Sequence, residues 1–112
     1  MKLSEVKEIL NAKVLTGEEM LECTVNSACG SDLMSDVLAF VKDQALLLTG
    51  LMNSQVVRTA EMMDMKAIVF VRGKTPSEEI LELAKDAGIA VLSTELPLYM
   101  SCGKLYSLGL YN

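Results

Sequence analysis

The chain has 112 residues, 51% of them hydrophobic and only 4% aromatic, so a core of ordinary domain size can form and must be built from aliphatic and methionine side chains. The net charge is −5 with no Lys/Arg-rich run, which argues against a nucleic-acid partner, whose affinity rests on neutralised phosphates. Histidine is absent, which removes the commonest general base, the commonest metal ligand and every Ser-His arrangement together. The three cysteines, Cys23, Cys29 and Cys102, are odd in number and form no CxxC pair, so neither a disulfide framework nor a metal site is expected from them. No apolar run approaches the ~20 residues of a membrane span. Residues 1–10 carry acidic side chains and no apolar signal core, so the expectation is a cytoplasmic protein with one domain over residues 1–112.

In chain order, residues 3–10 predict a short helix capped at Ser4, with Val6, Ile9 and Leu10 on one face. Residues 12–15 are a brief apolar run closed by Thr16-Gly17, residues 18–21 suit a helical turn, and residues 22–28 suit a strand. After Gly30, Ser31 or Asp32 is placed to cap a helix whose inward stripe is Leu33, Met34, Val37, Leu38 and Val41. Lys42 and Asp43 fall on its other side.

Residues 44–94 hold the clearest pattern. An apolar run at 45–48 ends at Thr49-Gly50, and Asn53 or Ser54 caps a helix facing inward with Val56, Val57, Ala60 and Met63. A second apolar run at 67–71 leads to Arg72-Gly73-Lys74. Thr75-Pro76-Ser77-Glu78 then predicts a capping box with Thr75 as cap, ahead of a helix using Ile80, Leu81, Ala84 and Ala87 and stopping at Gly88. A third run at 89–92 ends at Ser93-Thr94, and residues 95–106 predict a last helix approached through Leu96-Pro97. Uninterrupted apolar strands separated by single helices imply an α/β class: a small, mostly parallel sheet with a βαβαβ core, in two or three layers.

In open α/β sheets ligands bind beyond the carboxyl ends of the strands. Here those ends carry Thr49, Gly50, Arg72, Gly73, Lys74, Ser93 and Thr94, with Asn53 at the start of the next helix. Two cations beside helix N-termini suit a phosphate-sized anion. Residues 50–55 match neither a P-loop nor a dinucleotide fingerprint, so nucleotide hydrolysis and hydride transfer are disfavoured. No catalytic residue, metal ligand or cofactor is assigned. The apolar segment 96–111, with three tyrosines, is a candidate dimer contact or, equally, a segment that packs on its own domain.

Ser35-Asp36-Val37-Leu38, Leu46-Leu47-Leu48-Thr49-Gly50, Ala67-Ile68-Val69-Phe70-Val71-Arg72-Gly73, Pro76-Ser77-Glu78-Glu79-Ile80-Leu81-Glu82-Leu83-Ala84 and Gly88-Ile89-Ala90-Val91-Leu92 together resemble a DRTGG domain. Residues 72–94 are also similar to the N-terminal domain of HPr kinase/phosphorylase, whose catalytic domain and P-loop have no counterpart here. Leu51-Met52 stand where the family's name motif begins with Asp-Arg. The resemblance implies a non-catalytic regulatory or dimerising module. The expected function is therefore ligand sensing by a homodimer, with a phosphorylated metabolite or nucleotide as ligand. The alternative is a protein-protein interaction module acting on a partner enzyme with no small ligand.

Overall fold

The computed structural model describes residues 1–40 and 45–111; Val41, Lys42, Asp43 and Gln44, which the sequence assigns to the end of the second helix and the start of the core stretch, lie outside the described residues. The elements are α1 (Leu3–Leu10), β1 (Lys13–Thr16), a single 3-10 turn (Glu18–Met20), β2 (Ser27–Gly30), α2 (Met34–Phe40), β3 (Ala45–Thr49), α3 (Ser54–Met62), β4 (Ala67–Phe70), α4 (Glu78–Asp86), β5 (Ala90–Ser93) and α5 (Leu98–Ser107).

The sheet order is β1-β5-β4-β3-β2. Strands β2 to β5 run parallel in sequence order, and β1 closes the far edge antiparallel to β5. Alternation along the buried strands sorts the side chains into two cores. Leu46, Leu48, Val69 and Leu92 pack with Leu3, Val6 and Leu10 of α1 and Leu105 of α5. Leu47, Ile68, Phe70 and Val91 pack with Val37 of α2, Val56, Val57 and Ala60 of α3, and Ile80 and Ala84 of α4. Helices therefore cover both faces, and the open choice between two and three layers resolves to three. One consequence positions the site. The chain leaving β4 turns onto the α2–α4 face, and the chain leaving β5 turns onto the α1/α5 face.

The predicted β3, α3, β4, α4 and β5 are all present, and several boundaries move for local reasons. Ser4 does not cap α1. The N–H groups of Leu3 and Ser4 instead donate to the carbonyls of Cys23 (2.9 Å) and Leu21 (2.8 Å), and Glu5 Oε1 accepts the Lys2 N–H at 2.9 Å. The second strand begins at Ser27 and runs to Gly30, later than predicted. On α2 only Met34 and Val37 of the described inward stripe are buried, while Leu33 and Leu38 are exposed. The predicted capping box at Thr75 is displaced: α4 starts at Glu78, and Ser77 Oγ accepts the Ile80 N–H at 3.3 Å. Pro76 is buried just before the cap. The last helix starts at Leu98 rather than at residue 95, because the Leu96 carbonyl is held by the Arg72 N–H at 2.9 Å.

Candidate functional site

The carboxyl ends of the four parallel strands gather most of the predicted residues, joined by one that the sequence placed elsewhere. Asp32 lies two residues beyond β2. Its Oδ1 accepts the Gly50 N–H at 2.7 Å and the Thr49 hydroxyl at 3.0 Å, and its Oδ2 is 3.7 Å from the Arg72 guanidinium. Asp32 therefore does not cap α2; Ser31 Oγ instead accepts the Leu33 N–H at 3.0 Å. Had the strand been read through to Gly30, Asp32 would have fallen at the sheet edge beside Thr49. Thr49 also accepts the Leu51 N–H at 3.1 Å, which fixes the exit from β3.

Arg72 and Gly73 are both left-handed, with φ of 60° and 68°. That conformation is strained for arginine and is over-determined by its surroundings. The Val71 N–H donates to the Thr49 carbonyl (3.1 Å) and the Gly73 N–H to the Thr94 carbonyl (2.8 Å). The turn lays the Arg72 guanidinium against Gly50, in space that a Cβ at residue 50 would occupy. Lys74 Nζ donates to the Gly50 carbonyl at 2.8 Å, and Ser93 Oγ donates to the Lys74 carbonyl at 2.9 Å. The cluster thus holds two cations and one carboxylate. The Arg72–Asp32 pair is about half exposed on each side (50% and 47%), so solvent screens it and an incoming anion can exchange for it at small cost.

Asn53 is the N-cap position of α3 but makes no side-chain cap bond, and the first turn of α3 contains no acidic residue. The N-terminus of α4, by contrast, is already complemented by Ser77, Glu78 and Glu79. Gly73 faces away from Gly50, toward Glu95. Thr94 is buried, and its hydroxyl donates to the Leu10 carbonyl at 2.7 Å, tying β5 to α1.

The Gly50 N–H, together with the Thr49 hydroxyl and the two nearby cations, holds the Asp32 carboxyl below the usual carboxylate range, against the opposing effect of desolvation. A depressed folded-state pKa contributes stability that is present above the unfolded value and is lost as pH falls through the folded one. Asp32→Asn should therefore flatten the acid limb of a stability-versus-pH curve as pH falls below the ordinary Asp value of ~3.9, read by urea melts from neutral pH down through that value. An unchanged limb would show that Asp32 does not report its contacts.

Burial raises the Cys29 thiol, with Asp36 adding to it, and burial raises that of Cys102, with Cys29 adding. Cys29 packs with the α2–α4 core and Cys102 with the α1/α5 core, so they lie on opposite faces of the sheet. Both are expected to react with iodoacetamide at pH 7.5 more slowly than a free thiol, and faster as pH rises. Rapid labelling of either at neutral pH would contradict this. Among the described residues no three of Cys, Asp and Glu gather to hold a metal ion, and no helix is long and apolar enough to cross a membrane.

The fold and its polar carboxyl edge define a small three-layer α/β module with its cations at the strand ends. The chain belongs to the DRTGG domain family, whose model matches residues 5–104. Among solved structures it is similar to the CBS and DRTGG domains of the regulatory region of Clostridium perfringens pyrophosphatase, complexed with an activator, diadenosine tetraphosphate. The TM-score is 0.73 at 18% identity, over 93% of this chain and 45% of that one. The chain thus spans a little under half of that solved region, and at this identity the likeness establishes the fold. A search of curated proteins found no match.

Proposed function

We propose that the protein is a non-catalytic, cytoplasmic regulatory module that senses a phosphate-bearing metabolite or nucleotide at the edge formed by Thr49, Gly50, Asn53, Arg72, Gly73, Lys74 and Ser93, with buried Thr94 tying that edge to α1. The observation that carries this reading is the strained Arg72 turn, which stations a guanidinium over Gly50 beside the Lys74 ammonium, close to an α3 N-terminus with no acidic residue of its own. Asp32 is the internal competitor, an anion already seated on the Gly50 N–H and the Thr49 hydroxyl. Binding phosphate there displaces the carboxylate from Arg72 and releases the tie between the ends of β2 and β3, which supplies a structural signal. The absence of histidine from the chain supports the non-catalytic part. The regulatory role and nucleotide complex of the Clostridium region agree with the rest.

Calorimetric titration of adenine nucleotides and acyl phosphates tests it. Arg72→Ala should weaken binding about tenfold or more, as expected for loss of a charge-assisted hydrogen bond. Asp32→Asn should strengthen it. No binding, or binding indifferent to both substitutions, would remove this site.

A second reading is carried by α5. Tyr99, Met100, Gly103, Tyr106 and Ser107 recur at helical spacing on its outer face, and Tyr99 is 93% exposed. We assign that face to a second copy of the chain, which makes the sensor a homodimer. Gly103, where a Cβ would meet nothing within 4 Å, permits close helix approach. Light scattering should give twice the chain mass and the single mass for Gly103→Arg. A monomeric parent protein would instead favour the adaptor role toward a partner enzyme.

A further inference from the structure

We infer that the cleft between the carboxyl ends of β4 and β5 and the amino end of β1 receives the hydroxyl-bearing sugar of a sugar phosphate, whose phosphate lies against Arg72 and Lys74. This rests on the strand-end reading proposed above and assigns the organic part of its ligand.

The position follows from topology. The chain after β4 leaves by α4 on one face and the chain after β5 leaves by α5 on the other, so the gap between their ends is a switch point, where open α/β sheets hold ligands. A cleft of about 230 Å³ lies there, lined by Asn11, Lys13, Thr75, Ser93 and Glu95 around Gly73. Such a space takes a five- or six-membered polyol ring.

The lining chemistry selects among ring-sized occupants. Lys13 and Glu95 bring one charge of each sign, so the cleft offers a phosphate dianion no net attraction. It has no aromatic side chain on which a base could stack, and its one apolar residue is Leu15. It does offer a carboxylate, an amide and two hydroxyls, the groups that donate to and accept from a vicinal diol. Among the described residues, the Glu95 carboxylate, the Lys13 ammonium, the Thr75 hydroxyl and the Asn11 amide have no side-chain hydrogen-bond or ion-pair partner, so their capacity is unspent.

The cleft is also contiguous with the cations. Glu95 Oε2 stands where a Cβ on Gly73 would be, and Gly73 is flanked in sequence by Arg72 and Lys74, whose side chains turn the other way, toward Gly50. Ser93 joins the two halves, since it lines the cleft and its hydroxyl holds the Lys74 carbonyl. A ligand with a diol a few bonds from a phosphate spans both.

The test is calorimetry with inorganic phosphate, ribose 5-phosphate and AMP, on the parent protein and on Glu95→Gln. Glu95 is exposed and unpaired, so the isosteric variant should fold normally. Ribose 5-phosphate, AMP or both should bind about tenfold more tightly than phosphate, as a hydroxyl bonded to a carboxylate implies. Which of them gains identifies the source as a free sugar phosphate or a nucleotide. Glu95→Gln should erase the gain and leave the phosphate affinity unchanged. Equal affinity for all three, or a gain that survives Glu95→Gln, overturns the cleft assignment and leaves the strand-end anion site standing. Binding of none overturns both.

Discussion

Replacing Phe70 with alanine is expected to cost about 3–5 kcal/mol of folding stability, the range for deleting a fully buried phenyl ring. Phe70 has no solvent exposure and is the largest of the fully buried side chains. It sits in β4 between Thr49 of β3 and Ser93 of β5, and packs in the core that α2, α3 and α4 cover. Domains of this size have about 5–15 kcal/mol in all. The variant should therefore melt roughly 10–20 °C lower, and urea titration should move its midpoint in proportion. The loss should reach the carboxyl edge too, because the Phe70 carbonyl accepts the Thr94 N–H at 2.9 Å. A loss under about 1 kcal/mol would mean that this face of the sheet is not packed as described.

Gly17→Ala is expected to cost about 2–4 kcal/mol, from two separable causes. Gly17 has φ of 84°, which an alanine adopts only with strain. A Cβ there would also lie 2.7 Å from the Ala90 Cα, and Ala90 is the first residue of β5, paired with Ala67 of β4. Backbone on backbone cannot relax by a rotamer change. Gly88 supplies the control: its φ is 72°, yet a Cβ would meet nothing within 4 Å. Gly88→Ala should lose only the strain, about 1 kcal/mol. Equal losses at the two positions would rule out the close approach at Gly17.

The parts of this fold that are legible in the sequence are those whose signals are local. Residues 45–48 and 67–70 are uninterrupted apolar runs because both faces of each strand are covered, and α3 and α4 show their inward residues at helical spacing. What was not legible depends on distant partners. β1 is four residues with one exposed and three half-buried, and its antiparallel pairing with β5 follows from where α1 packs. Leu33 and Leu38 have helical spacing yet remain exposed, since β2 is the sheet edge and gives α2 little to cover.

The site divides in the same way. Arg72, Gly73 and Lys74 were recognisable as a polar turn after a strand, and their left-handed geometry keeps them at the edge. Asp32, forty positions from Arg72 in the chain, was not, because its role depends on the end of β2 lying beside Thr49. The cleft around Glu95 was likewise hidden, because it exists only once α4 and α5 take opposite faces.

Sensing of phosphate at the carboxyl edge around Arg72, as proposed, can be read by following the backbone amides by NMR while titrating AMP, ribose 5-phosphate and acetyl phosphate. Saturable shifts are expected at Gly50, Arg72, Gly73 and Lys74, with Leu33 and its neighbours responding as Asp32 is displaced. Amides at the edge that stay still with every probe would contradict it, and would leave the exposed face of α5 as the part of the molecule through which it works.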